Sequence, residues 1–109
     1  MLEAIFGSKS ARQVLLYLQN YGDGYGREIA RTFKVAPLQV QNQLKKLEEA
    51  GWLVSWTAGR TRIFTWNPNN PSLQSLRAFL QTELDALPRQ EIQAYYRQRR
   101  RPRKSGKPL

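Results

Sequence analysis

Apolar residues in the first part of the chain recur with the period of an α-helix. They fall on one helical face, at Ala11, Val14, Leu15 and Leu18. Either Ser8 or Ser10 can cap the start of this helix, because a serine hydroxyl accepts a hydrogen bond from a free amide of the first turn. Two glycines around Asp23 break the period. The pattern predicts an amphipathic helix with one buried face.

Two more helices are predicted, separated by a very short link. The first covers residues 26–33, with Ile29, Ala30 and Phe33 inside and Arg27, Glu28 and Arg31 outside. The next begins at Pro37, since proline is favoured at the first helical position, and runs to residue 50 with Gly51 just beyond it. Its buried face consists of Val40, Leu44 and Leu47. The short link makes the pair a tight helix-turn-helix.

The second half of the chain predicts a β-hairpin and more helix. Residues 52–57 and 61–66 are rich in β-branched and aromatic side chains, and residues 58–60 between them contain a glycine. The register stays open, because loops of two and three residues pair different positions. After the turn-rich segment 67–71, Ser72 is predicted to cap a helix with a stripe at Leu73, Leu76, Phe79, Leu80, Leu84 and Leu87. Pro88 either kinks this helix or begins a final one bearing Ile92, Tyr95 and Tyr96.

The order of these elements is that of a winged helix-turn-helix, mainly α with a small β-hairpin wing, followed by a C-terminal helix. In this fold the third helix enters the major groove of DNA and the hairpin approaches the flanking backbone. We expect a DNA-binding domain over residues 1–70, a C-terminal helical segment over 71–96 that supports dimerisation, and a basic disordered tail over 97–109.

Charge is distributed unevenly along the 109 residues. The net charge is +10, and all 8 acidic residues precede Tyr96, whereas the last 13 residues contain only basic charged side chains. Such a cluster gains affinity for a polyanion by displacing counterions from phosphates. Predicted tail contacts to phosphate are Arg99, Arg100, Arg101, Arg103 and Lys104. An arginine-rich terminus can alternatively bind a protein partner.

The chain contains no cysteine and no histidine. This excludes disulfides, a thiolate nucleophile, an imidazole base and a zinc site of the Cys/His type. Glu48 and Glu49 are adjacent and point about 100° apart on a helix, so they do not form a catalytic pair. No apolar run approaches the ~20 residues of a membrane span. We therefore expect a cytoplasmic protein that is not an enzyme and needs no cofactor.

Four segments resemble a known family of regulators. They are FGS at 6–8, YGREIAR at 25–31, LKKLEEAGWL at 44–53 and NP at 67–68. Together they are similar to the ArsR-like winged-helix regulators of bacteria and archaea, and in particular to the variety found beside or fused to minimal nucleotidyltransferases. The resemblance extends from Leu2 to Leu80 and implies binding of double-stranded DNA. It departs from the family at Ala36, where a Ser or Thr cap is usual, and in lacking the Cys and His clusters of metal sensors. The apolar stripe of residues 73–87 exceeds what one small domain needs to bury, so we expect a homodimer, which is consistent with the family, although the stripe could instead pack on its own domain.

The resemblance places DNA contacts on the N-terminal part of the third helix. We predict base contacts from Leu38, Gln39, Gln41 and Asn42, since amide side chains match the adenine edge, and phosphate contacts from Lys45 and Lys46. A polar helix face can equally be a solvated surface.

Arginines extend this predicted interface beyond the third helix. Arg60 and Arg62 at the hairpin tip are expected at the flanking groove or its phosphates, although arginines there can also serve solubility. Arg27 and Arg31 are further candidates that could instead pair with Glu28 or Glu48.

The wing also carries aromatic residues, at Trp52, Trp56 and Trp66. They could form a stacking platform for single strands. We expect them instead to cover the small core between the wing and the helices.

The predicted function is sequence-specific binding of duplex DNA as a transcriptional regulator, with repression as the expected outcome. A winged helix that binds a protein such as a nucleotidyltransferase is one alternative, and non-specific nucleic-acid binding is another. Sequence preference separates them, because a regulator discriminates among duplexes by several kcal/mol.

Overall fold

The computed structural model describes residues 4–5 and 7–99. Its main elements are α1 (Lys9–Tyr21), β1 (Asp23–Gly24), α2 (Gly26–Phe33), α3 (Pro37–Glu49), β2 (Leu53–Ala58), β3 (Thr61–Trp66), α4 (Leu73–Asp85) and α5 (Arg89–Tyr95). The three strands form one antiparallel sheet in the order β1-β3-β2. The predicted winged helix-turn-helix fold is thereby confirmed.

Helix α1 lies at the centre of the core. Residues 14–18 are all 0% exposed, and α2, α3 and α4 pack around them. The helix begins at Ser8, whose Oγ accepts a hydrogen bond from the Ala11 amide at 3.0 Å. This contact decides between the two serines considered as caps.

The segment after α1 holds a strand that was not predicted. Asp23 and Gly24 pair with Thr65 and Phe64 of β3. The Thr65 hydroxyl also donates to the Gly22 carbonyl at 2.7 Å. The segment at Asp23, where the helical pattern was predicted to end, is therefore an edge strand that connects α1 to the wing.

The wing is a hairpin with a two-residue loop. Ala58 pairs with Thr61, which leaves Gly59 and Arg60 as the loop and settles the open register. Gly59 has φ +64° and is followed by a residue with negative φ, the pattern of a type II′ turn. Strand β2 begins at Leu53 and not at Trp52.

The start of α4 differs from the prediction. Ser72 is the residue before the helix, but its side chain makes no capping hydrogen bond, because its backbone (φ −95°, ψ 1°) is outside the extended region that aims a capping hydroxyl. The side chain of Asn70 instead accepts from the Ser72 amide at 2.8 Å. The prediction of a Ser72 cap was wrong in this respect.

The C-terminal part packs on the same core. Helix α4 ends at Asp85, and Pro88 precedes a separate helix α5, so the second of the two roles considered for Pro88 is correct. Leu80, Leu84 and Tyr96 are buried with the residues of α1. In the part of the chain that the structure describes, no helix is long and apolar enough to cross a membrane.

Polar contacts attach α5 and the residues after it to α1 and α2. The Tyr21 hydroxyl donates to the Tyr95 carbonyl at 2.7 Å and accepts from the Gln98 amide at 3.0 Å. The Gln98 side chain accepts from the Thr32 hydroxyl at 3.0 Å. Arg12 and Glu91 form an ion pair at 3.0 Å. These contacts are called the C-terminal clasp below.

Candidate nucleic-acid interface

The turn between α2 and α3 fixes the position of the third helix. Helix α2 ends at Lys34, which adopts the left-handed conformation (φ 57°, ψ 47°), and the Val35 amide donates to the Ala30 carbonyl at 3.0 Å. Helix α3 then starts at Pro37. The preceding Ala36 provides no side-chain cap, because a methyl group cannot accept a hydrogen bond. The turn is therefore held by backbone hydrogen bonds.

Side chains of α3 project in three directions. Val40 and Leu44 are fully buried and face the core. On the opposite side the exposed residues follow the i, i+4, i+7, i+11 spacing of one helical face, and we call them the outward stripe: Leu38, Asn42, Lys45 and Glu49. This face of α3 is exposed to solvent.

One flank of α3 is held by the start of α1. The Ser10 hydroxyl donates to Gln39 Oε1 at 3.4 Å, and Gln43 Nε2 donates to the Ser8 hydroxyl at 3.5 Å. These residues line a shallow surface concavity of about 540 Å³, together with Lys46. The first turn of α1 is thus part of the candidate interface, which the sequence had not indicated.

The other flank of α3 faces α2 and the wing. Gln41 lies against Gly26, where an added Cβ would be 2.7 Å from Gln41 Cγ. Glu48 accepts a hydrogen bond from the Ser55 hydroxyl, which in turn accepts from Arg62 at 2.8 Å. The wing is thereby connected to the C-terminal half of α3 through polar side chains.

Three of the predicted arginines meet beside this flank. Arg27 from α2, together with Arg60 and Arg62 from the wing, lines a concave surface of about 620 Å³ that also includes Gln41. Three guanidinium groups around one concavity produce a positive potential, which favours an anionic group such as a phosphate.

The structure separates the predicted site residues into groups. Leu38, Asn42 and Lys45 are on the outward stripe, whereas Gln39 and Gln41 lie on the two flanks. Arg31 is exposed on α2 outside the arginine-lined concavity.

The structure describes only one of the residues predicted to contact phosphate from the tail. Arg99 is exposed at the end of the described chain, while Arg100, Arg101, Arg103 and Lys104 lie outside the described residues.

Several residues of this surface were not among the predicted contacts, including Ser10 and Glu49. Glu49 completes the outward stripe, and its spacing from Leu38 and Lys45 was the signal that could have found it. Ser10 contacts Gln39 across 29 positions of sequence, for which no local signal exists.

Two of the three tryptophans, Trp66 and Trp52, pack in or against the core. Trp66 is buried, its Nε1 donates to the Leu18 carbonyl at 3.3 Å, and the Arg77 guanidinium lies over its ring at 5.8 Å. Trp52 and Trp56 are half-buried, and Trp52 packs against the core. A buried, hydrogen-bonded Trp66 is unsuited to stack on a base, so its structural interpretation is correct.

No protein-family model and no protein of curated function matches the chain. Solved structures do match. The antimony-specific transcriptional repressor AntR has a TM-score of 0.59 at 17% identity, over 77% of this chain and 74% of AntR. Reduced AbfR bound to DNA has a TM-score of 0.57 at 22% identity, over 81% of this chain and 63% of AbfR. A MarR-family transcriptional regulator from Rhodococcus sp. RHA1 has a TM-score of 0.54 at 18% identity, over 84% and 71%.

The chain has the fold of winged-helix transcriptional regulators. One of these regulators was solved on DNA, so the fold is one that DNA-binding proteins use.

Proposed function

We propose that this protein binds duplex DNA sequence-specifically as a transcriptional regulator, with α3 in the major groove and the wing, residues 57–62, on the flanking groove or backbone. The outward stripe is the observation that carries the proposal. Its first three residues are an apolar, an amide and a cationic side chain at one-turn intervals, and the acidic Glu49 lies at its C-terminal end, on the helix that winged-helix proteins insert into DNA.

The charges around α3 support this placement. Lys45 and Lys46 are exposed on α3 itself, and the arginine-lined concavity lies on the side of the wing. Basic side chains beside a groove-reading helix neutralise phosphates and fix the register of the protein, while base contacts supply specificity. We assign Lys45, Lys46, Arg27, Arg60 and Arg62 to backbone contacts, and Arg31 and the tail arginines to further phosphates.

Base contacts are divided between the stripe and its flanks. Leu38 and Asn42 are proposed to contact bases directly. Gln39 and Gln41 remain base-reading candidates. To reach a base edge, Gln39 must break its hydrogen bond with Ser10, and Gln41 must move away from Gly26. We expect Asn42→Ala to lose more sequence discrimination than Gln41→Ala.

The test is selection of bound duplexes from a random DNA pool by the purified protein at physiological salt. Enrichment of a defined sequence, bound roughly 4 kcal/mol or more tightly than random duplex, is the expected result. Binding without enrichment would contradict specific recognition. Absence of binding would contradict the whole proposal.

We further propose that the regulator is a homodimer that uses α4. Within the predicted stripe, Leu80 and Leu84 are buried in the core of the same chain. Phe79 is 38% exposed and is the residue that a second copy would cover. Sedimentation at micromolar concentration, with and without DNA, is expected to give a dimer that Phe79→Asp dissociates. A wild-type monomer in both conditions would contradict this.

An ArsR-like subtype, a nucleotidyltransferase partner and a cytoplasmic location stay predictions from the sequence. An inverted repeat in the selected duplexes would agree with a two-fold symmetric regulator, because the symmetry of the operator follows that of the protein.

A further inference from the structure

Leu38 is an apolar side chain in an exposed position. It is 66% exposed. In the part of the chain that the structure describes, the other exposed large hydrophobic residues are Ile5 and Phe79. Single exposed leucines are common on protein surfaces and need no explanation by themselves. The position of this one within α3 makes it informative.

The neighbours of Leu38 on α3 have different surroundings. Gln39 is hydrogen-bonded to Ser10, and Gln41 lies on Gly26, so both exposed glutamines have a neighbour within the protein. Leu38 projects between them on the outward stripe, with Asn42 one helical turn away. The end of α3 that would enter a groove first therefore presents one apolar group beside one amide group.

Only one base presents an apolar group in the major groove. Thymine carries a C5 methyl, and adenine offers the N6 and N7 pair that an asparagine amide matches with two hydrogen bonds. Side chains one helical turn apart have Cβ atoms about 5–6 Å apart, which compares with a rise of about 3.4 Å per base pair. Leu38 and Asn42 can therefore contact base pairs one or two steps apart.

We propose that Leu38 reads a thymine methyl group in the major groove, next to an adenine contacted by Asn42. This inference rests on the proposed function and adds the identity of the bases, a recognition element rich in A·T pairs. A buried methyl group contributes about 0.8 kcal/mol, so its loss corresponds to an affinity change of about fourfold for each contact.

The experiment replaces thymine by uracil, which removes the methyl group and keeps the base-pairing edge. The duplex selected from the random pool is synthesised with thymine, and then with a single uracil at each thymine position in turn. Binding of wild-type protein is expected to weaken about fourfold at one position of each half-site and to stay unchanged at the others. Leu38→Ala is expected to bind the thymine and uracil duplexes equally.

Ile5→Ala provides the matched control, because Ile5 is 63% exposed and lies outside α3. This variant should retain the wild-type preference for thymine. Circular dichroism and thermal unfolding establish that Leu38→Ala is folded, which we expect for a side chain that leaves the core untouched.

Three outcomes would overturn the inference. Specific binding that is indifferent to every uracil replacement removes the methyl contact but leaves the proposed function intact. A thymine preference that survives in Leu38→Ala assigns the contact to another residue. If the protein binds no duplex at all, the proposed function fails, and the inference fails with it.

Discussion

Two neighbouring glycines show how differently single positions are constrained in this molecule. A Cβ added to Gly24 would be 2.8 Å from Tyr17 Cε1 and 3.2 Å from Ile29 Cδ1, both in fully buried side chains. A Cβ added to Gly26 would be 2.7 Å from Cγ of Gln41, which is exposed. The first contact has no room to relax, whereas the second can be relieved by rotating a surface side chain.

We expect Gly24→Ala to lower the free energy of unfolding by about 1–3 kcal/mol, the usual cost of overpacking a core. Gly26→Ala is the matched control and should lose less stability, because the side chain that its Cβ would meet belongs to the exposed Gln41, although Gly26 itself is buried. Denaturant unfolding of the two variants checks both expectations. A larger loss of stability for Gly26→Ala than for Gly24→Ala would contradict this interpretation of the packing.

A second prediction at this scale concerns the buried phenol of Tyr96. Its hydroxyl has no hydrogen-bond partner among the described residues, although the ring packs edge-on to Phe33. Removing an unsatisfied buried polar group while keeping the ring removes a desolvation cost. Tyr96→Phe should therefore raise the free energy of unfolding by about 1 kcal/mol at neutral pH.

The same hydroxyl predicts a dependence on alkaline pH. Burial raises the pKa of Tyr96 above its ordinary value of 10.0, and the nearby carboxylate of Glu91 adds to this, while Arg12 opposes it. Because the folded state holds the phenol proton more tightly than the unfolded state, this group leaves the free energy of unfolding unchanged with pH below about pH 10 and lowers it as the pH rises further. Between about pH 8 and pH 11, wild type should therefore lose more stability than Tyr96→Phe. Equal decreases would show that Tyr96 does not titrate in this way.

At the scale of elements, α3 is fixed by three neighbours and free on one face. The core receives Val40 and Leu44, α1 holds Gln39, and the wing reaches Glu48 through Ser55. The wing is therefore connected to α3. Such attachments hold the outward stripe and the wing arginines at a defined separation, as a two-part DNA contact requires.

The wing arginines give a prediction at this scale. Replacing Arg60 and Arg62 by Gln should weaken binding to the selected duplex and reduce the slope of log affinity against log salt by about 0.9 for each phosphate that the variant no longer neutralises. Titrations at several salt concentrations measure this slope. Arg89→Gln, an exposed arginine of α5, is the control and should leave the slope unchanged. A double variant with the wild-type slope would show that the wing does not contact phosphates.

At the scale of the whole molecule, the C-terminal clasp determines where the basic tail leaves the domain. Gln98 is bonded to Tyr21 of α1 and Thr32 of α2, so the chain beyond it begins next to the helix-turn-helix. The tail contributes positive charge without any acidic residue. We expect it to add affinity for any duplex, because contacts to phosphate carry no sequence information.

Truncation after Arg99 tests this expectation while keeping Gln98 and its contacts. The truncated protein should bind selected and random duplexes more weakly by a similar factor, with a flatter salt slope. A full-length variant with Gln at Arg100, Arg101 and Arg103 controls for chain length and should behave in the same direction. An unchanged salt slope would favour a protein-binding role for the tail.

The sequence by itself determined helices α1 to α4, the wing and the helix that carries the candidate contacts. Apolar periodicity located α2 at residues 26–33, because burial of one face forces the spacing of the residues that form it. The preference of proline for the first helical position located the start of α3 at Pro37. The resemblance and the element order together indicated where DNA contacts would lie. These features are local, so a single segment contains the information.

Only the tertiary structure decided which side chains act together. β1 is two residues long and is stable only because Thr65 and Phe64 pair with it. The Ser72 hydroxyl does not cap α4, because the backbone at Ser72, whose amide is bonded to Asn70, is not extended. Gln39 and Gln41 are two positions apart and therefore point about 200° apart on α3. Only the tertiary structure shows that the first meets Ser10 and the second meets Gly26. Such contacts join positions far apart in the chain, and their geometry follows from packing rather than from the local pattern.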